Sequence, residues 1–252
     1  MKRIYTLTPL LLLFAVTSSC DTLNKVAANS GYGSVLNPSQ GGTPSTIEMI
    51  SGLKQALEQG TDRSSSQLSA ANGFFGNAAI KILLPPEAQK AENTLRKLGF
   101  NKLCDDAILS LNRAAESAAA KAKPIFVSAI KQMTIQDVTN ILLGGQKDAA
   151  TQYFKRTTNS QLTNEFRPVI NNSLSQVGAT KYYGQLVTQY NKVPLVFNKL
   201  NPDLSAYVTQ KAIDGLFYRI AQEELNIRTN LTSRTTPLLQ KVFGYAQQKT
   251  RG

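Results

Sequence analysis

Beyond residue 46, apolar side chains recur every three to four positions, and strict alternation is confined to one short stretch. Residues three and four apart share a helix face, so this is the helical period. A sheet is disfavoured, since a half-buried strand needs an apolar residue at every second position. Ser45-Thr-Ile-Glu48 has the form of a capping box, after which Ile47, Ile50, Leu53 and Leu57 share one face and Gly60 can close the helix. Pro86 suits the first turn of a helix running to Leu98, and Gly99 suits its end. From about Lys102 to Lys121 an Ala-rich run sets Leu103, Ala107, Leu111, Ala114, Ala118 and Ala122 towards a neighbour. Small side chains on a buried face let backbones approach closely, so this helix is expected to be central.

Pro124 breaks that run and can start the next helix, through Met133. Thr134 with Asp137 reads as a second cap, and Gly144-Gly145 as a stop. Helices are expected over 146–157, 160–177, 181–191 and 204–228, with a last one after Pro237. Pro168 should kink the second of these. The alternating stretch is 79–84, where Ile80, Ile82 and Leu84 precede two prolines. One extended segment cannot make a sheet alone. The expectation for 46–252 is an all-α, single, multi-helix bundle-like domain with a short extended segment near 79–84.

The start of the chain reads as an export signal. Lys2 and Arg3 precede an apolar stretch from Ile4 to Val16, then Thr17-Ser18-Ser19-Cys20. A membrane-spanning helix needs roughly 20 apolar residues, and Pro9 interrupts this shorter run. A cysteine directly after small residues is the acyl acceptor of a bacterial lipoprotein, although Thr17 departs from the usual Leu at its position. Residues 1–19 are therefore read as a lipoprotein signal peptide, with Cys20 as the lipidation site. Residues 21–45 carry four Gly and two Pro without a sustained apolar period. They read as a flexible tether with a reach of roughly 25–30 Å. Asp21 favours the inner membrane under one sorting rule, but that rule is not general, so inner and outer membrane both stay open.

Two cysteines are present, and lipidating Cys20 leaves Cys104 without a disulfide partner. Within its helical run Cys104 reads as a small packing residue. The chain has no histidine, which removes Ser-His and Cys-His triads and the usual zinc sites. Gly144-Gly145 lacks the later glycine and Ser/Thr of a phosphate-cradling loop. No metal or other cofactor is expected.

The net charge of +12 is unevenly placed. Residues 21–120 carry nine basic and nine acidic side chains, whereas 121–200 carry ten and three and 201–252 seven and four. A basic excess can be a solvated surface, or a face for an anionic envelope component such as phospholipid headgroups, lipopolysaccharide or cell-wall polymer. Nucleic acid is not an expected partner of an exported chain. The candidate binding residues are Tyr153, Lys155, Arg156, Arg167, Lys181, Tyr182 and Tyr183, where rings that stack lie beside cations that pair. Core aromatics flanked by solvated cations are the competing reading.

Arg113 and Glu116, three apart on the Ala-rich helix, can pair as a polar clamp, and Lys211 with Asp214 repeats the spacing. Glu223 and Glu224 project about 100° apart and cannot form one carboxylate pair. A glycosidase needs two carboxylates roughly 5–10 Å apart, and nothing in the spacing of the acidic residues selects two. No catalytic residue is assigned.

The segments Asn112-Arg-Ala-Ala-Glu116, Ala149-Ala-Thr-Gln-Tyr-Phe154, the run from Tyr207 to Phe217, Glu223-Glu224, Ile227-Arg228, and Arg234-Thr235 through Phe243 together resemble domain-of-unknown-function family 4197. The resemblance spans roughly Ile47 to Gly244, with Leu231 and Pro237 departing from its pattern. It implies a helical exported domain and no activity. Three function classes follow: a lipid-anchored envelope module that binds an envelope component or protein through a basic face, a carboxylate-dependent envelope hydrolase, and a carrier of an apolar ligand. A closed core, a polar cleft with facing carboxylates, or an apolar cavity would tell them apart.

Overall fold

The computed structural model describes residues 42–176, 178–180, 183 and 203–251, all within one contact unit that spans 40–252. Among them the regular structure is helical and no strand occurs. Helix α1 (Thr46–Ser69) opens on the expected box, with the Ser45 hydroxyl accepting the Glu48 N–H and the Glu48 carboxylate accepting the Ser45 N–H. A 3-10 turn (Pro86–Ala88) leads into α2 (Gln89–Lys97), and α3 (Asn101–Ala119) is the Ala-rich helix. There follow α4 (Ala122–Lys131), α5 (Ile135–Leu143), α6 (Ala149–Gln176), α7 (Leu204–Thr229) and α8 (Pro237–Arg251). Thr134 and Asp137 form the second capping box, at the start of α5.

Helix α3 packs against α1, α2, α6 and α7, so the alanine-rich element is central. Ala114, Ala115, Ala118 and Ala119 are all fully buried along it. The long helices α6 and α7 lie against each other, and α1 crosses α3, α4, α5, α7 and α8. Phe126, Phe154 and Phe217 meet edge to face at the centre, with ring centroids 5.0 and 6.4 Å from Phe126. Gly215 lets α7 sit directly on the loop after α1: a Cβ there would lie 2.7 Å from Phe74 Cε1.

Four local expectations change. Helix α1 does not stop at Gly60 but runs on to Ser69. Gly60 is buried beside Glu223 and serves packing, and the Thr61 hydroxyl bonds back to the Leu57 carbonyl at 2.7 Å. The segments 146–157 and 160–177 are one helix, α6, with Pro168 inside it. Thr157 and Thr158 return their hydroxyls to the carbonyls of Tyr153 and Phe154, so the polar stretch continues the helix instead of capping a new one. Ile47 and Leu103, placed on inward faces by their period, are 58% and 47% exposed. The stretch 79–84 buries Ile80 and Ile82 but is not extended throughout: it opens in a turn, with the Ile80 and Lys81 N–H groups on the Asn77 carbonyl at 3.1 and 2.8 Å, and it has no strand partner. The Asn112 side chain takes that place. The predicted helix at 181–191 falls outside the described residues except for Tyr183.

Candidate functional site

The Asn112-Arg-Ala-Ala-Glu116 segment holds the loop between α1 and α2 against α3. Asn112 is fully buried and bonds both backbone groups of Ile82, while Glu116 Oε1 accepts the N–H groups of Phe74 and Phe75 at 3.1 and 3.3 Å. Arg113 closes the set, reaching Glu116 Oε2 at 2.5 Å and the Asn72 side chain at 2.9 Å. The pair joins a helix to a loop. Lys211 and Asp214 do not repeat it: Asp214 accepts from Gln210 at 2.9 Å, and Lys211 lies 5.9 Å from the Tyr207 ring centre.

The buried acidic residues of α7 are equally committed. Glu224 reaches the first turn of α6, accepting the N–H groups of Ala150 and Thr151 at 2.9 Å and the Thr151 hydroxyl at 2.8 Å. Arg228, one turn on, pairs with Glu224 at 2.8 Å and donates to the Ile141 carbonyl at the end of α5. A carboxylate thus meets the positive end of one helix and a guanidinium the negative end of another. Glu223 pairs with Arg219 at 3.1 Å. Arg234, buried to 1%, donates to the Ile227 and Arg228 carbonyls at the end of α7, and its burial pulls the guanidinium pKa down.

The aromatic and basic candidates do not form one platform. Tyr153 is buried, donates its hydroxyl to the Ala129 carbonyl at 2.9 Å, and has its phenol pKa raised by burial. Lys155 and Arg156 are exposed beside it. Arg156 lies 5.7 Å from the Tyr153 ring and 3.9 Å from Asp137. Arg167 pairs with Asp203 and sits eleven positions further along α6, roughly 16 Å away by helix rise. Tyr183 is buried, and desolvation followed by the Glu87 charge pushes its phenol up to about 12. Lys181 and Tyr182 fall outside the described residues. The described rings face inwards, so stacking on a sugar is not open to them.

What sequence reasoning missed is a groove beside α3. It is open to solvent on one side, holds about 600 Å³ and is walled by Leu95 of α2, by Leu103, Ala107 and Leu111 of α3, and by Tyr183 and Leu204. Polar groups from Asp106, Ser110 and Arg113 also line it. The α2 wall is lightly seated, since none of its nine residues is buried. Arg96 fastens it, bridging Glu92 at 2.9 Å and Asp105 of α3 at 2.8 Å. Cys104 lies in the groove wall with its thiol 3.9 Å from the Glu92 carbonyl. Burial pushes that thiol up, opposed by Arg96 and reinforced by Glu92 and Asp105, so it stays protonated at neutral pH. The available signal was Leu103, an apolar residue at the end of the α3 stripe that the helix packing does not cover. Among the described residues no three metal-ligating side chains converge.

No curated protein and no solved structure matches this chain. A sequence family described as "Protein of unknown function (DUF4197)" matches residues 43–244, from the entry to α1 to the middle of α8. The match takes in the loop clamp, the Glu224–Arg228 bridge and both faces of the groove, and the chain belongs to the DUF4197 family.

Proposed function

We propose that the protein is a non-enzymatic, lipid-anchored envelope protein whose helical domain holds an apolar chain of the acyl class in the groove beside α3. The observation that carries this reading is the groove. Its volume of about 600 Å³ falls within the roughly 300–1,000 Å³ typical of small-molecule sites. Its wall is mainly leucine and alanine, with a few polar groups to meet a head group. Cys20 supplies the anchor and the 21–45 stretch the tether. The basic excess beyond Lys121 would act through cations such as Lys155 and Arg156 alone, because Tyr153 and Tyr183 are buried.

The test is a titration with a fluorescent long-chain fatty acid. Wild type should bind saturably. Ala107→Trp, which fills the groove from an incompletely buried position, should weaken binding by about tenfold or more while leaving thermal unfolding near wild type. Equal binding by the two proteins, or no saturable binding by wild type, would sink the reading.

A further inference from the structure

The groove beside α3 has one fixed wall and one loose one. Leu103, Ala107 and Leu111 stand on α3, whose Ala114, Ala115, Ala118 and Ala119 are fully buried where it packs on α1, α6 and α7. Leu95 stands on α2, which buries none of its nine residues. Helix α5 has the same length and buries Val138, Ile141 and Leu142. The inner face of α2 is Ala91, Glu92, Leu95 and Arg96, all half-buried, and the helix it packs against is α3. Its single large apolar side chain, Leu95, borders the open groove and not a closed core.

Little else fastens it. Among the described residues two polar contacts cross from α2 to α3: Arg96 with Asp105 at 2.8 Å, and the Cys104 thiol with the Glu92 carbonyl at 3.9 Å. The Arg96 and Asp105 side chains are 30% and 66% exposed, and an ion pair in water contributes little. A thiol is a weak donor. The ends of the helix are tied, with Pro85 and Ala88 buried just before it and Gly99, at φ +89°, turning the chain straight into α3. Elements with few buried contacts open locally, at free energies far below that of global unfolding.

We infer that α2 is a strap, held at both ends, that lifts from α3 to admit an acyl chain into the groove and reseats with Leu95 over it. Its role in entry rests on the groove reading, whereas its looseness does not. Cys104, 3% exposed against Glu92 of the strap, reports the lifting.

The test uses residues 21–252, in which Cys104 is the sole cysteine. Amide hydrogen exchange over 89–97 should be at least about a hundredfold faster than over 108–119, since α2 opens without unfolding the core. R96A and D105A each remove the ion pair at a partly exposed position. Both should be alkylated at Cys104 about two- to fivefold faster than wild type, with thermal unfolding near wild type. A saturating long-chain fatty acid should slow both the exchange of 89–97 and the labelling of Cys104. Exchange over 89–97 as slow as over 108–119, or Cys104 labelling unchanged in both variants, overturns the strap. Saturable binding of fatty acid that leaves the exchange of 89–97 unchanged overturns it too. Fast exchange over 89–97 with no saturable binding overturns the groove reading alone.

Discussion

Asn112 pairs with Ile82 as a neighbouring strand would: its Oδ1 accepts the Ile82 N–H at 2.9 Å and its Nδ2 donates to the Ile82 carbonyl at 2.8 Å. A buried residue must have both its backbone groups partnered, and here one side chain on a helix does it. The amide also donates to the Ile108 carbonyl of its own helix at 2.7 Å. Replacing Asn112 by Leu keeps the size and removes both partners. Each stranded group costs about 1–3 kcal/mol, so the loss should be about 2–6 kcal/mol in urea unfolding. A loss below about 0.5 kcal/mol would mean that the loop does not depend on this pairing.

The Arg113–Glu116 pair should respond asymmetrically. The Glu116 side chain is 5% exposed and the Arg113 side chain 42%. Glu116→Ala strands the N–H groups of Phe74 and Phe75 and should cost about 2–4 kcal/mol. Arg113→Ala removes a half-exposed cation and leaves Glu116 bonded to both N–H groups, so it should cost less, about 1 kcal/mol. Glu116→Gln retains an acceptor for both N–H groups and should recover much of the loss. Equal losses for the two alanine variants in denaturant unfolding would refute the asymmetry.

Acid should weaken the fold through its capping boxes. The Thr134 hydroxyl and N–H hold the Asp137 carboxyl below its ordinary value, and Lys241 followed by the Ser45 N–H does the same for Glu48. A folded pKa below the unfolded one gives stability that is fully present above the unfolded values of about 4 and is lost as pH falls through the folded ones. The melting temperature should therefore decline below about pH 4. E48Q/D137N should start lower at neutral pH and decline less steeply. Parallel melting profiles for wild type and variant would rule these carboxylates out.

Cys104 should report on the groove. In residues 21–252 it is the sole cysteine, 3% exposed, with its thiol pKa raised by burial. Iodoacetamide should label it at least about tenfold more slowly than in urea, because the thiolate is the reactive form. Bound fatty acid should slow labelling further, since Cys104 lies in the groove wall. Mass spectrometry over time reads both effects. Labelling as fast in the folded as in the unfolded chain would contradict the buried position.

Much of the fold was legible because its signals are local. The period of Leu53, Leu57, Leu111 and Ala118, the boxes at Ser45 and Thr134, and Gly99 all act within one or two helical turns. The failures occur where a local signal had a tertiary use. Gly60 has the residue type of a helix end, yet it serves as a contact for Glu223. Thr157 and Thr158 suggest a break, yet their hydroxyls bond back along α6. The role of Arg113 and Glu116 was half visible: spacing gave the pair, but only the packed loop supplies the N–H groups of Phe74 and Phe75. The groove was hidden because its walls come from separate stretches around Leu95, Leu103, Tyr183 and Leu204.

By itself the sequence determined that the chain folds as helices, where most of them start and stop, and that the chemistry of histidine is excluded. These follow from residue type and spacing, which act over a few residues. Tertiary structure decided which polar side chains became fasteners and which apolar ones were left uncovered. Glu224 is an ordinary helical glutamate until the first turn of α6 is brought onto it. Leu103 is an ordinary stripe residue until the neighbouring helices fail to reach it. Both outcomes depend on how helices far apart in sequence come together, and no local period carries that information.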